Sequence, residues 1–289
     1  MIAPAVVDRP MTIGEIVDRA VTLAVRRWRV LGALVLIEAI PLGIGRVAVG
    51  ESPPANAWFG LFEVLCDTLF FGAAILGCAT PPATVGAVLR GALRRYGALI
   101  GAELLGFVLL LVVVAGAAAC GFVAGLVFGP AGPAFVLPIS SVVAAVFVLV
   151  FAPRLSLVGS LLAPIVMLEH VSAPGSWSIA FRRTRNAGPR RSWLLGVALL
   201  AIAFIPTMLT ALGADDVVRL THLEAVRFVE ELLSDAIQVA LAATVATVIS
   251  LELRVRYEGA DLEAALIASA PHQENGGASS AAASAAGSE

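Results

Sequence analysis

The chain of 289 residues contains no lysine, and only 14% of its residues are charged and 7% aromatic. Soluble domains carry about 25% charged residues, so this chain has too few to cover a water-facing surface. All 19 basic residues are arginine, which removes the Schiff-base and phosphate-binding lysines of several enzyme classes. The net charge of −2 and the apolar excess exclude a nucleic-acid-binding protein and a wholly disordered chain.

Histidine and cysteine are scarce, with three of each in the chain. The sequence has no H-E-x-x-H, G-x-S-x-G or G-x-G-x-x-G string and no C-x-x-C pair. Cys66, Cys78 and Cys120 fall in apolar stretches, which favours packing over disulfide or metal binding. We therefore expect no enzyme activity, no cofactor and no metal site.

Hydrophobic residues are abundant, at 59% of the chain, and the mean hydropathy is +0.94. A bilayer core of about 30 Å is crossed by about 20 apolar residues in a helix. Long uncharged runs predict an all-α, polytopic membrane protein with six transmembrane helices. The predicted spans are residues 30–49, 57–80, 97–128, 134–167, 192–212 and 236–253. Spans three and four exceed the required length, so they must tilt, project from the lipid or break at a proline.

The arginines divide unequally between the two sides of this arrangement. If the N-terminus is cytoplasmic, only Arg46, Arg219 and Arg227 lie on the opposite side, and Arg154 lies near the inner end of span four. Positive residues concentrate in cytoplasmic loops, so both termini are expected in the cytoplasm, with cytoplasmic interfacial helices beside the spans.

The sequence is expected to form one helical membrane domain over residues 1–268 of a multi-pass protein in a bacterial cytoplasmic membrane. No signal-peptide pattern is evident at its start. Residues 269–289 are mainly alanine, serine and glycine and are expected to form a disordered tail.

Three cytoplasmic stretches, Glu15–Leu36, Val85–Leu105 and Trp177–Leu199, share one design. Each has an amphipathic segment, an arginine pair, an aromatic residue and then a span. Guanidinium groups seek phosphates, and tryptophan and tyrosine sit well at headgroup depth. The candidate contacts to anionic lipid headgroups are Arg26, Arg27, Trp28, Arg94, Arg95, Tyr96, Arg190, Arg191 and Trp193. We infer three units of an interfacial helix and a transmembrane hairpin; the alternative is chance convergence where the chain meets the membrane.

The first interfacial helix has the clearest local signal. Thr12 and Glu15 have the spacing of a capping box, which predicts a helix over residues 12–27. Such a helix is expected to lie along the inner membrane surface, either as a topological anchor or as a lipid-recognition element.

Four acids fall inside the first three predicted spans, and acids at such positions are candidates for a functional site. The candidate intramembrane polar site consists of Glu38, Glu63, Asp67, Glu103 and Arg154. Glu63 and Asp67 share one helix face because they are four residues apart. The group is either a buried ion pair with Arg154, a set of acids that reach water at the span ends, or a proton or cation path.

Gly121, Gly125 and Gly129 form two overlapping G-x-x-x-G strings in span three. Small residues at this spacing let another helix approach closely. The partner is either another span of the same chain, which we favour, or a second protein or second copy.

Three segments together resemble bacterial proteins classed with the glycerophosphoryl diester phosphodiesterase membrane domain. They are Met11–Ala20 (M-T-I-G-E-I-V-D-R-A), Pro164–Glu169 (P-I-V-M-L-E) with Ala180–Arg185 (A-F-R-R-T-R), and Leu253–Leu262 (L-R-V-R-Y-E-G-A-D-L). Glu252 stands where that family usually has aspartate. The resemblance implies a polytopic helical membrane protein, and it does not confer phosphodiesterase activity, because the paired histidines and metal-binding carboxylates of the catalytic barrel are missing here.

The preferred hypothesis is a non-catalytic scaffold or accessory protein in lipid or cell-envelope processes, and its accessory part rests on family analogy alone. The first alternative is a transporter or channel component with an acidic intramembrane path. The second is an intramembrane lipid-modifying enzyme that uses Glu169 and His170, which requires a third group on the same cavity.

Overall fold

The computed structural model describes residues 11–49, 53–80, 84–128, 133–202 and 237–257. Every regular element in these ranges is a helix, which confirms the all-α prediction. The helices are α1 (Ile13–Arg26), α2 (Trp28–Val49), α3 (Pro53–Ala79), α4 (Val85–Arg94), α5 (Tyr96–Phe128), α6 (Pro133–Glu169), α7 (Ala173–Asn186), α8 (from 189 to the last residue described there, 202) and α9 (237–257).

Five of these helices are long and apolar enough to cross a membrane. The five segments are Trp28–Gly45, Ala57–Ala79, Tyr96–Val127, Pro138–Glu169 and Ile237–Tyr257. Each corresponds to a predicted span. The remaining predicted span, residues 192–212, lies only partly within the described residues, and the predicted tail, 269–289, lies outside them. Within the described residues, the chain is therefore a helical protein with five helices that are long and apolar enough to cross a membrane.

The outer faces of the long helices are apolar. Phe107, Val114 and Phe122 on α5 and Val142 and Leu149 on α6 are each more than half exposed. Soluble proteins rarely leave such continuous apolar faces in water. Because a helix satisfies most of its backbone polar groups internally, hydrocarbon is a suitable solvent for these faces.

Helix α6 runs unbroken for 37 residues through Pro138, Pro153 and Pro164. At 1.5 Å per residue it is about 55 Å long, so it must tilt or project beyond the hydrocarbon core. The sequence left open whether the fourth predicted span breaks at a proline. The structure shows that α6 does not break.

The crossing of α6 and α8 explains how Pro153 is accommodated. Proline has no N–H, so the carbonyl of Leu149, four residues earlier, loses its helical partner. The indole N–H of Trp193 in α8 donates to that carbonyl at 3.0 Å. One turn later, Gly196 brings the α8 backbone against α6, because a Cβ there would lie 1.8 Å from the Pro153 carbonyl oxygen.

The short helices α1, α4 and α7 each start with a hydroxyl cap, from Thr12, Thr84 and Ser172 respectively. At Thr12 the predicted capping box is complete, since the Glu15 carboxylate accepts from the Thr12 N–H at 2.7 Å and Thr12 Oγ1 accepts from the Glu15 N–H. Each short helix buries one face and leads through a turn into a longer or continuing helix.

The core lies toward the end of the bundle where these short helices pack. It is centred on the last third of α6, from Leu157 to Met167, with buried residues of α3, α5 and α9 around it. This arrangement brings the three arginine-bearing turns to the same packed region.

Candidate functional site

The arginine pairs at the three turns divide into an exposed and a half-buried member. The first arginine of each pair is exposed, and the second is only partly accessible. The exposed members are Arg26, Arg94 and Arg190, and the half-buried members are Arg27, Arg95 and Arg191. Beside the first pair, the Trp28 side chain is 63% exposed.

Arg27 and Arg95 occupy the same backbone position in their turns. Arg27 has φ −102° and ψ 8°, and Arg95 has φ −117° and ψ 10°. The carbonyl of each accepts from the N–H four residues later, at 3.0 Å in both turns. The third turn differs because Gly188, at φ 82°, precedes Pro189. The turns of the first two units thus have the same local geometry. In the third unit, the turn before the arginine pair is made by a glycine with positive φ.

Each unit consists of a short helix and the two helices that follow it, namely α1–α3, α4–α6 and α7–α9. In each unit the half-buried arginine lies toward the last of the three helices. Arg95 donates from Nη1 to the Val166 carbonyl at 3.1 Å, near the end of α6. The last carbonyls of a helix have no helical partner, so this bond caps α6. Arg27 lies within electrostatic range of Cys78, near the end of α3.

Arg191 belongs to a three-residue ion cluster. Its Nη2 lies 2.8 Å from Oε1 of Glu252 in α9, and Arg256 pairs with the same carboxylate one helical turn later. Glu252 is fully buried. Both arginines also donate to the carbonyl of Met11, so the cluster ties the start of the chain's first helix to α8 and α9.

A second buried ion pair joins α6 to α7. Arg183, only 4% exposed, makes two hydrogen bonds to the carboxylate of Glu169, of which the bond from Nη2 to Oε2 is 3.1 Å. Both carboxylate oxygens are therefore occupied. His170 follows Glu169 in the left-handed region, at φ 62°, and is mostly exposed. Partial desolvation and the charge of Arg95 lower its pKa.

Three of the four predicted intramembrane acids surround one residue of α3, and Arg154 does not join them. Glu38, Glu63 and Asp67 are within electrostatic range of Cys66 on α3. Arg154 is exposed and makes no hydrogen bond or ion pair with another described residue, so it supplies no counter-charge among them.

Asp67 and Glu103 line one cavity of about 610 Å³ between α3, α5, α6, α8 and α9, which we term the acid-lined cavity. Thr68, Ser156 and Ser160 add hydroxyl groups, and the rest of its described lining is apolar. Neither Glu63 nor Glu38 lines this cavity, although Glu63 is one turn from Asp67.

The glycine face of α5 packs at least partly within the chain. A Cβ at Gly121 would lie 3.6 Å from the Ser140 carbonyl oxygen and 3.9 Å from the Ala144 Cβ, both on α6. Gly129 lies outside the described residues. Self-association through this face stays a prediction.

Sequence reasoning missed the partners of Arg183, Arg191 and Glu252. The acids are visible in the sequence as charges at the ends of apolar runs. Pairing such acids with arginines that flank other predicted spans would have suggested these ion pairs.

Comparisons of the chain with protein-family models, curated proteins and solved structures find no match.

Proposed function

We propose that this protein is a multi-pass scaffold or accessory protein of a bacterial cytoplasmic membrane, without catalytic activity of its own. In this proposal it has six spans and two cytoplasmic termini. Its three short amphipathic helices lie on the inner surface and hold anionic lipid headgroups. The observation that carries the proposal is the division of the arginine pairs, because Arg26, Arg94 and Arg190 stay exposed. Of their neighbours, Arg95 and Arg191 donate hydrogen bonds within the fold, and Arg27 is half-buried.

The relationship to the glycerophosphoryl diester phosphodiesterase membrane domain is part of this proposal. It is supported by contacts between the segments that carry the resemblance. Met11 of the opening segment accepts hydrogen bonds from Arg191 and from Arg256 of the closing segment. Glu169 and Arg183 of the middle segment pair with each other.

The lipid contacts are tested with the full chain in nanodiscs that contain phosphatidylglycerol and phosphatidylethanolamine. Each arginine near a membrane surface contributes about 1 kcal/mol of attraction to anionic lipid, or about fivefold in binding. The triple variant R26Q/R94Q/R190Q is expected to lose most of the phosphatidylglycerol enrichment around the protein, and R26K/R94K/R190K is expected to retain it. Equal enrichment in all three proteins would contradict the proposal.

A second candidate function is transport along the acids of the membrane interior. The observation that favours it is the acid-lined cavity, in which Asp67 and Glu103 face the same space. Proteoliposomes should then show a proton or cation flux that D67N and E103Q each abolish and that Glu63→Gln leaves intact. Identical flux with protein-free liposomes would remove this candidate.

The geometry gives the lipid-modifying enzyme little support. A general acid or base needs a carboxyl group or imidazole aimed at substrate. Both oxygens of Glu169 accept hydrogen bonds from Arg183, and neither Glu169 nor His170 lines the acid-lined cavity.

A further inference from the structure

The acid-lined cavity has the size of a small-molecule site. Its volume of about 610 Å³ falls in the range of about 300–1,000 Å³ that is usual for ligand pockets. We propose that it binds an amphiphile with an ammonium group, taken up sideways from the bilayer. This proposal goes beyond the scaffold function and is independent of it.

The charge of the walls selects the polar end of the occupant. Asp67 on α3 and Glu103 on α5 contribute carboxyl groups, and no arginine or histidine is among the described lining residues. The hydroxyl of Ser160 donates to the Ser156 carbonyl at 2.8 Å, so its oxygen offers lone pairs to a ligand. An ammonium group carries only donors, and its charge-assisted bonds to carboxylates are about twice as strong as neutral ones. An ionised carboxyl group here would repel an anionic headgroup.

The rest of the lining selects the apolar part of the occupant. Most of the wall is formed by aliphatic and small side chains, such as Leu109, Val113 and Ala246. Two lining residues at the edge, Val64 and Leu110, are 58% and 57% exposed, so the wall continues onto the outer apolar surface. A ligand that arrives across this edge must already be dissolved in the bilayer. A small hydrated cation would lose its water against these apolar walls.

Glycines keep part of this space open. Gly106 on α5 lines the cavity, and a Cβ there would meet nothing within 4 Å. Opposite it, a Cβ at Gly159 on α6 would be 3.9 Å from the Gly106 Cα. A leucine at position 106 would therefore occupy ligand space without a clash at its Cβ. Gly97, on the same helix, also has open space around its Cβ but does not line the cavity, and it provides a matched control.

The binding test uses the full chain in phosphatidylcholine nanodiscs, with radiolabelled dodecylamine as the probe, dodecanol as its neutral counterpart and empty nanodiscs as background. We expect saturable dodecylamine binding at least about tenfold tighter than dodecanol binding, since charged hydrogen bonds distinguish the two. The variant D67N/E103Q should lose about tenfold or more in dodecylamine affinity. Glu63→Gln, which removes a nearby acid outside the lining, should bind as the unmodified chain does.

The second pair of variants tests the location by volume instead of charge. Gly106→Leu should abolish saturable binding, and Gly97→Leu should preserve it, with helix content and gel-filtration profile checked for both. Equal binding of amine and alcohol, undiminished binding to D67N/E103Q, or undiminished binding to Gly106→Leu would each overturn the proposal. Loss of phosphatidylglycerol enrichment in the arginine variants bears on the scaffold function only, so the two proposals can fail separately.

Discussion

At the scale of single residues, the buried arginines stabilise the fold only while their partners remain. Removing a charge from water costs several kcal/mol, and a bidentate carboxylate offsets much of that cost. Arg183 and Glu169 meet this condition, whereas the exposed arginines of the turns pay no such penalty and remain available to headgroups.

Breaking the Arg183–Glu169 pair on one side should destabilise the protein more than removing both charges. We expect Arg183→Met to lower the free energy of unfolding by about 3 kcal/mol, since it leaves a mostly buried carboxylate without its partner. The double variant E169Q/R183M should lose less than the sum of R183M and E169Q. Unfolding in mixed micelles of dodecyl maltoside and sodium dodecyl sulfate measures all three. Additive losses would show that the pair has no coupling energy.

His170 should titrate below the ordinary histidine value of about 6.5. Partial desolvation and the charge of Arg95 lower its pKa, so the folded protein favours the neutral ring and the unfolded chain binds the proton more readily. The contribution of this residue to stability is therefore present above pH 6.5 and declines as the pH falls below that value. NMR titration of labelled histidine in an uncharged detergent, assigned with H170Q, gives the midpoint, and R95Q should move it upward. A midpoint at or above 6.5 would contradict this account.

At the scale of helices, the α6–α8 crossing depends on three residues that compensate for one another. Pro153 frees a carbonyl, Trp193 satisfies it, and Gly196 lets the two backbones approach closely enough. The helix continues through this internal proline, and the carbonyl that the proline leaves unpaired is satisfied by a neighbouring helix.

Gly196→Ala should destabilise this crossing. Its Cβ would lie 1.8 Å from the backbone oxygen of Pro153, so α8 must move away, at a cost of about 1–3 kcal/mol or more. Gly32→Ala in α2 is the control, because a Cβ there meets nothing within 4 Å and alanine is the better helix former. Thermal unfolding in mild detergent should show a lower Tm for G196A and an equal or higher Tm for G32A. Equal values for both alanine variants would be inconsistent with this packing.

At the scale of the whole molecule, the sequence was informative where a local signal sufficed. Long apolar runs predicted the five helices that are long and apolar enough to cross a membrane, and the Thr12–Glu15 spacing predicted the start of α1. The packing could not be predicted, because α5 and α6 are apolar on all sides and show no periodic face. The acid-lined cavity and the pairing of Arg191 with Glu252 could not be predicted either, because each is formed by residues of different helices whose packing the sequence pattern does not indicate.

The six-span arrangement is tested by the side of the membrane from which introduced cysteines can be labelled. In a chain whose three native cysteines are replaced, cysteines introduced at Ser52 and Ser178 should label from opposite sides of the membrane. Position 178 should share its side with both termini, because the arginine-rich segments are expected in the cytoplasm. Labelling of both positions from one side would refute the six-span arrangement.

The orientation of Arg27, Arg95 and Arg191 toward the second long helix of their own units also bears on how the chain can be divided. A cut between residues 83 and 84 separates none of these arginines from its neighbouring helix. Two fragments synthesised from separate genes would each retain their own arginine contacts, and the Met11 carbonyl would remain as a docking point for the larger fragment.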